Sequence, residues 1–115
     1  MTIKIEDLDK IDFSDVSDGQ SVADVTVGEM LVEEFLEPLG WSKYRLAKEL
    51  GVDQTRVGEI ISGKRAVTAD TDLRLCKLFG LTDGWWLRLQ VGLDVALKKV
   101  EIASELAGIK TVVHP

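Results

Sequence analysis

Apolar residues recur every three or four positions through most of this chain, and the interruptions fall on residues that cap or stop helices. The pattern is richest between residues 42 and 65. Leu46, Ala47 and Leu50 form one stripe at helical spacing, and Val57, Ile60 and Ile61 form a second. Ser42 stands at the N-cap position of the first and Asp53 at that of the second. Gly51 follows the first stripe, where a left-handed backbone costs glycine little, and Gly63 closes the second. Val52 can plug the space between them. The order of cap, stripe, glycine, cap, stripe, glycine predicts two short helices joined by a tight turn.

The same signals organise the rest of the chain. Thr26 and Glu29 have capping-box spacing and open a first helix, with Leu31, Phe35 and Leu39 pointing to the core and Pro38 kinking or ending it. Thr68 caps a segment from Ala69 to Phe79, with Asp70 and Asp72 near its positive end, and Gly80 ends it. Thr82 caps a longer helix through about Ala107, with Trp86, Leu89, Leu93, Leu97 and Val100 on one stripe. The chain thus divides into an N-terminal extension (residues 1–25), a helical domain (26–107) and a short tail (108–115). The extension carries at most one short helix or strand near Ile5 to Ile11, and the tail is β-prone at Thr111 to Val113.

Charge sharpens this picture. The chain of 115 residues has a formal net charge of −6, which argues against nucleic acid if the total is all that counts. The distribution reverses that. Residues 1–24 set Lys4 and Lys10 against seven carboxylates, a net of −5, whereas residues 42–65 carry six cations against Glu49, Asp53 and Glu59, a net of +3. Binding follows the local field near phosphates. Gln54, Thr55 and Arg56 open the second short helix, with Glu59 one turn on, and a recognition helix reads base edges mainly through its N-terminal residues. Gln pairs with adenine, Arg with guanine, and the Thr methyl meets a thymine methyl. Lys43, Lys64 and Arg65 suit phosphate contacts, which position without reading sequence. Polar residues on any one surface helix are usually only solvated; here the ordered 24-residue window favours DNA. Gly58, inside the second helix, is costly there and either allows a close approach or has no role.

The chain resembles the Cro/cI-like (XRE) helix-turn-helix class and, within it, the HigA/VapI-type antitoxins of bacterial toxin–antitoxin modules. The residues that carry the resemblance are GEMLVEEFLEPLG (28–40), YRLAKELGV (44–52), ISGKRAVTADTDLRL (61–75) and FG…WWLRLQVGLDV (79–95). It covers roughly residues 26 to 97. It implies an all-α, five-helix, lambda repressor-like domain with a long C-terminal helix and an acidic N-terminal extension. It also implies a bacterial, nucleoid-associated repressor of its own operon that silences a small basic ribonuclease toxin of the HigB/RelE type. The acidic extension, residues 1–24, and the tail from Val100 to Pro115 lie outside the pattern.

Two partner surfaces are expected. A repressor reading an inverted-repeat operator in double-stranded DNA needs a two-fold mate, which points to a homodimer with Trp85, Trp86, Leu89 and Leu93 at its contact. The acidic extension suits a cationic toxin, with Ile11, Phe13 and Val16 as apolar anchors. The alternative is a stand-alone phage- or plasmid-type repressor without a toxin. An enzyme is the poorest reading: the one histidine, His114, is next to the last residue, and no HExxH, CxxC or phosphate-cradling loop occurs. Glu29, Glu33, Glu34 and Glu37 have no His or Cys companion, so no metal site or cofactor is expected. Cys76 falls on an apolar stripe and reads as a buried small hydrophobe in a reducing cytoplasm. No apolar run near 18 residues and no basic-then-apolar leader predicts a membrane span or signal peptide.

Overall fold

A computed structural model describes residues 25–113, and all regular structure among them is helical. Helix α1 comprises three contiguous pieces, Val27–Leu31, a π-helical turn Val32–Leu36, and Glu37–Leu39. Then follow α2 (Lys43–Leu50), α3 (Gln54–Ser62), α4 (Ala69–Phe79), α5 (Trp85–Glu101) and a short α6 (Ala103–Ala107). The expected residues 1–24 helix or strand and the anchors Ile11, Phe13 and Val16 lie outside the described residues. Thr111 to Val113 form no strand.

The π turn explains a shift in which residues face inward. Pro38 offers no N–H and its ring crowds the carbonyl four residues back. The turn before it widens, so that Glu37 N–H donates to Val32 O. A widened turn holds one residue more than an α turn. Leu31 and Phe35 are buried as expected, but Leu36 takes the next inward place and Leu39 is left 41% exposed.

Phe35 sits at the centre of the core. Its ring centroid lies 4.6 Å from that of Phe79 on α4, 4.9 Å from Trp86 and 5.9 Å from Trp85 on α5. Leu46 on α2, Val57 and Ile60 on α3, and Leu75 and Cys76 on α4 close around it. Helix α1 packs on α3 and α5, α2 on α3 and α4, and α4 on α5. Gly28 makes one of these contacts possible: a Cβ there would overlap the Ile61 backbone carbonyl at the end of α3.

Trp85, Trp86, Leu89 and Leu93, expected at a two-fold contact, are buried within the single chain. The first turn of α5 packs into the core so that both adjacent tryptophans meet Phe35 of α1, and their own rings meet edge to face at 4.8 Å. The core-facing stripe then outruns the domain. Leu97 and Val100 continue it but are exposed, while Val91 and Val95 are exposed one turn apart on another face.

Helix α5 starts two residues later than a Thr82 cap would place it, with Gly84 as N-cap and no capping side chain from its own segment. The acceptor comes from α4. Asp72, 1% exposed, accepts Gly84 N–H at Oδ2 (2.7 Å) and Trp86 and Leu87 N–H at Oδ1 (2.9 and 3.1 Å). A carboxylate at a helix N-terminus satisfies both the free donors and the helix dipole. The helix ends at Glu101, and Ile102 breaks it from α6.

Candidate nucleic-acid interface

Local chemistry builds the turn between α2 and α3. Ser42 Oγ accepts Arg45 N–H (3.1 Å) at the start of α2. Gly51 ends that helix at φ 72°, and Val52 N–H returns to Ala47 O at 3.1 Å. Asp53 then opens α3, its Oδ1 accepting Arg56 N–H at 2.8 Å. The inner face of α3 is Val57 and Ile60, with Ile61 half-buried against the core. Gln54 and Thr55, on its first turn, are exposed.

The cations around this turn fall into two groups. Lys43, at the start of α2, and Lys64, just after α3, are exposed and have no ion-pair partner among the described residues. Both remain free to meet phosphate. Arg65 Nη2 instead lies 2.7 Å from Glu59 Oε1, an ion contact not aligned as a hydrogen bond. Glu59 also organises the loop through its backbone, its carbonyl accepting Lys64 N–H at 2.8 Å and Arg65 N–H at 3.2 Å. Arg45 pairs with Glu49 (2.8 Å) and lies 4.6 Å over the Trp41 ring.

Arg56 departs most from its expected place. Rather than standing outward, its Nη1 reaches sideways to Asp70 Oδ1 on α4 at 2.9 Å. The same oxygen accepts Arg74 Nε at 2.8 Å, and Arg74 Nη1 donates to Leu50 O, at the end of α2, also at 2.8 Å. One arginine–carboxylate–arginine bridge therefore spans α2, α3 and α4. Arg74 first, and then Arg56, hold the Asp70 carboxyl below its ordinary value by hydrogen bonding.

Of the residues read as DNA contacts, Lys43, Gln54, Thr55 and Lys64 are exposed and outside any ion pair among the described residues, and Arg56 is partly exposed with one guanidinium nitrogen engaged. Glu59 and Arg65 are occupied with each other. Sequence reading missed Tyr44, 65% exposed beside Lys43, and Asp70. The Tyr44 signal was available, since it precedes the α2 stripe of Leu46, Ala47 and Leu50 and lies off its face; the Asp70 pairing, 14 residues from Arg56, had no local signal. Gly58 faces open space, with nothing within 4 Å of a Cβ built there, so packing within the chain does not account for it. No cluster of His, Cys, Asp or Glu suited to a metal occurs among the described residues.

A helix-turn-helix family model matches residues 32–86. The chain is 44% identical over 70 residues to virulence-associated protein I of Dichelobacter nodosus, a stretch covering 61% of this chain and 65% of that protein. It thus spans just under two thirds of that relative's length. An addiction module antidote protein of the HigA family from Coxiella burnetii superposes with a TM-score of 0.70 at 36% identity, over 77% of this chain and 97% of that one. Antitoxin GraA, solved in complex with its operator, gives a TM-score of 0.71 at 33% identity over 78% and 92%.

Proposed function

The chain belongs to the helix-turn-helix family that includes the HigA antidote proteins, and from that premise we propose that it is an operator-binding repressor and the antitoxin of a toxin–antitoxin module. The observation that carries the DNA reading is the first turn of α3. Gln54 and Thr55 stand exposed there, the helix start is fixed by Asp53, and unpaired Lys43 and Lys64 flank it. Cations on the flanks bring phosphate close, and polar side chains at a helix start reach base edges in the major groove. GraA, a relative solved on its operator, supports the same use of this fold.

Two copies bind an inverted repeat with their α3 helices one DNA turn apart, ~34–36 Å. The two-fold contact is assigned to the exposed continuation of the α5 stripe, Leu97 and Val100, because it extends the domain's own apolar seam past its last cover. The toxin contact is assigned to acidic residues 1–24, whose net charge of −5 complements a small basic ribonuclease. The test is a mobility shift on duplexes enriched by the chain from a random pool. Gln54→Ala and Arg56→Ala each weaken the selected site by ~1–3 kcal/mol and relax base choice. Unchanged affinity in both overturns the placement of the reading helix. Co-expression with a short basic reading frame beside this one decides between an antitoxin, which forms a stable complex, and a stand-alone repressor, which does not.

A further inference from the structure

We infer that Asp70 on α4 is a specificity-determining, positioning residue: it holds one side of the Arg56 guanidinium so that the opposite edge faces the bases rather than the phosphates. The inference rests on the reading of α3 given above and extends it to a residue outside the helix-turn-helix. An arginine on the first turn of a surface helix has several rotatable bonds and two competing targets, the phosphate backbone and a guanine edge. Guanine requires two donors in a fixed fork, whereas phosphate accepts almost any approach. Here Nη1 is taken by Asp70 Oδ1 at 2.9 Å, and among the described residues no second partner holds the guanidinium. The anchored arginine still has a two-donor fork, Nε–H with Nη2–H, that Asp70 does not occupy.

Asp70 is itself held in place. Arg74 Nε pairs with the same oxygen at 2.8 Å, four residues on along α4, and Arg74 Nη1 is fixed by Leu50 O at 2.8 Å. The side chain of Arg56 is 31% exposed, against 58% for Asp70, so the arginine is the more enclosed partner. A lone exposed ion pair contributes little to stability. Its consequence here is directional: it removes conformations from a side chain that would otherwise be spent on non-specific contacts. The hydrogen bonds from Arg74 and then Arg56 also favour the ionised form of the Asp70 carboxyl.

The test compares base preference in the full chain, measured by anisotropy on the selected operator and on operators changed one base pair at a time. Wild type and Arg56→Gln identify the position that Arg56 reads, where the preference is roughly tenfold. Asp70→Asn loses most of the preference at that same position and at no other, and adds little when combined with Arg56→Gln. Asp70→Glu, which keeps the charge, retains it. Glu49→Gln removes an equal charge from the helix-turn-helix without touching Arg56; it raises affinity for random duplex but leaves the preference intact. Asp70→Asn keeping full preference, or adding its whole loss to that of Arg56→Gln, overturns the inference. If Gln54→Ala and Arg56→Gln change neither affinity nor preference, it is the reading of α3 that fails; if they act and Asp70→Asn does not, only the role of Asp70 falls.

Discussion

Replacing Asp72 by asparagine tests how α5 is attached to the domain. Asp72 Oδ1 serves two N–H donors, Trp86 and Leu87, and Oδ2 serves a third, Gly84. Asparagine has one acceptor oxygen. It can keep the Trp86 and Leu87 bonds but turns an NH2 group toward the Gly84 N–H, donor against donor. A hydrogen bond to a charged group contributes about 1.5–3 kcal/mol, and a buried donor left without a partner costs about 1–3 kcal/mol. Losing the Gly84 bond and weakening two others to neutral strength gives about 2–4 kcal/mol. Alanine, which abandons all three, gives about 4–6 kcal/mol on the same basis, with water relieving part of the cost at the half-buried Gly84 and Leu87. Domains of this size hold about 5–15 kcal/mol in total, so alanine brings the fold near its limit. Urea unfolding followed by tryptophan fluorescence reports it directly, since Trp85 and Trp86 lie on the first turn that Asp72 caps. A loss below about 1 kcal/mol for Asp72→Ala, with an unchanged dependence on urea, refutes the assignment of Asp72 as the cap of α5.

Four further outcomes follow from other parts of the structure. Gly28→Ala destabilises by about 1–3 kcal/mol, because the new methyl overlaps the Ile61 carbonyl and separates α1 from α3; Gly58→Ala, with open space above it, gains up to about 1 kcal/mol, and equal shifts in denaturation midpoint for the two contradict the packing. Lys64→Ala weakens operator and random DNA alike and flattens the salt dependence by about one, whereas a loss confined to the operator would make Lys64 a base reader. The Cys76 thiol, raised above its ordinary range by burial, stays unreactive toward an alkylating reagent in the native protein and reacts once urea unfolds it; rapid native labelling would show that the α4 face opens. Asp70, lowered by Arg74 and Arg56, sustains its bridge as pH falls past the usual carboxylate range and loses it only through the lowered value, so a carboxyl carbon titrating at or above 3.8 contradicts the bridge.

What was legible in the chain was what neighbouring residues decide. Ser42, Gly51, Asp53 and Gly63 fix the two short helices by capping and backbone freedom alone, and the structure places each of them as the sequence predicts. The exposure of Gln54 and Thr55 follows, because once Val57 and Ile60 turn inward the first turn has one outward side. The inward place of Leu36 was hidden because a helical period was carried through a turn that Pro38 widens. The fate of Trp85 and Trp86 was hidden for another reason. An apolar residue at a helix start can face a second copy or its own core, and only the approach of α1 and α4 decides.

Asp70 and Asp72 show where local reasoning stops and what lies beyond it. Both stand near the positive end of α4, and the sequence gives them one role, that of complementing a dipole. Two residues along a helix turn a side chain through roughly 200°, so the pair points to opposite sides. One meets Arg56 of α3 at the surface; the other enters the core and binds the start of α5. Helix α4 therefore joins α3 to α5 through a carboxylate on each side. In the symmetric pair proposed above, that path lies between the α3 helices of the two copies. On the proposed placement of the reading helix and the two-fold contact, altering either attachment changes the path: at Asp70 it alters the aim of one arginine, and at Asp72 it tilts α5 and with it the mate. The first changes which base is preferred within a half-site, and the second changes which separation between half-sites is tolerated.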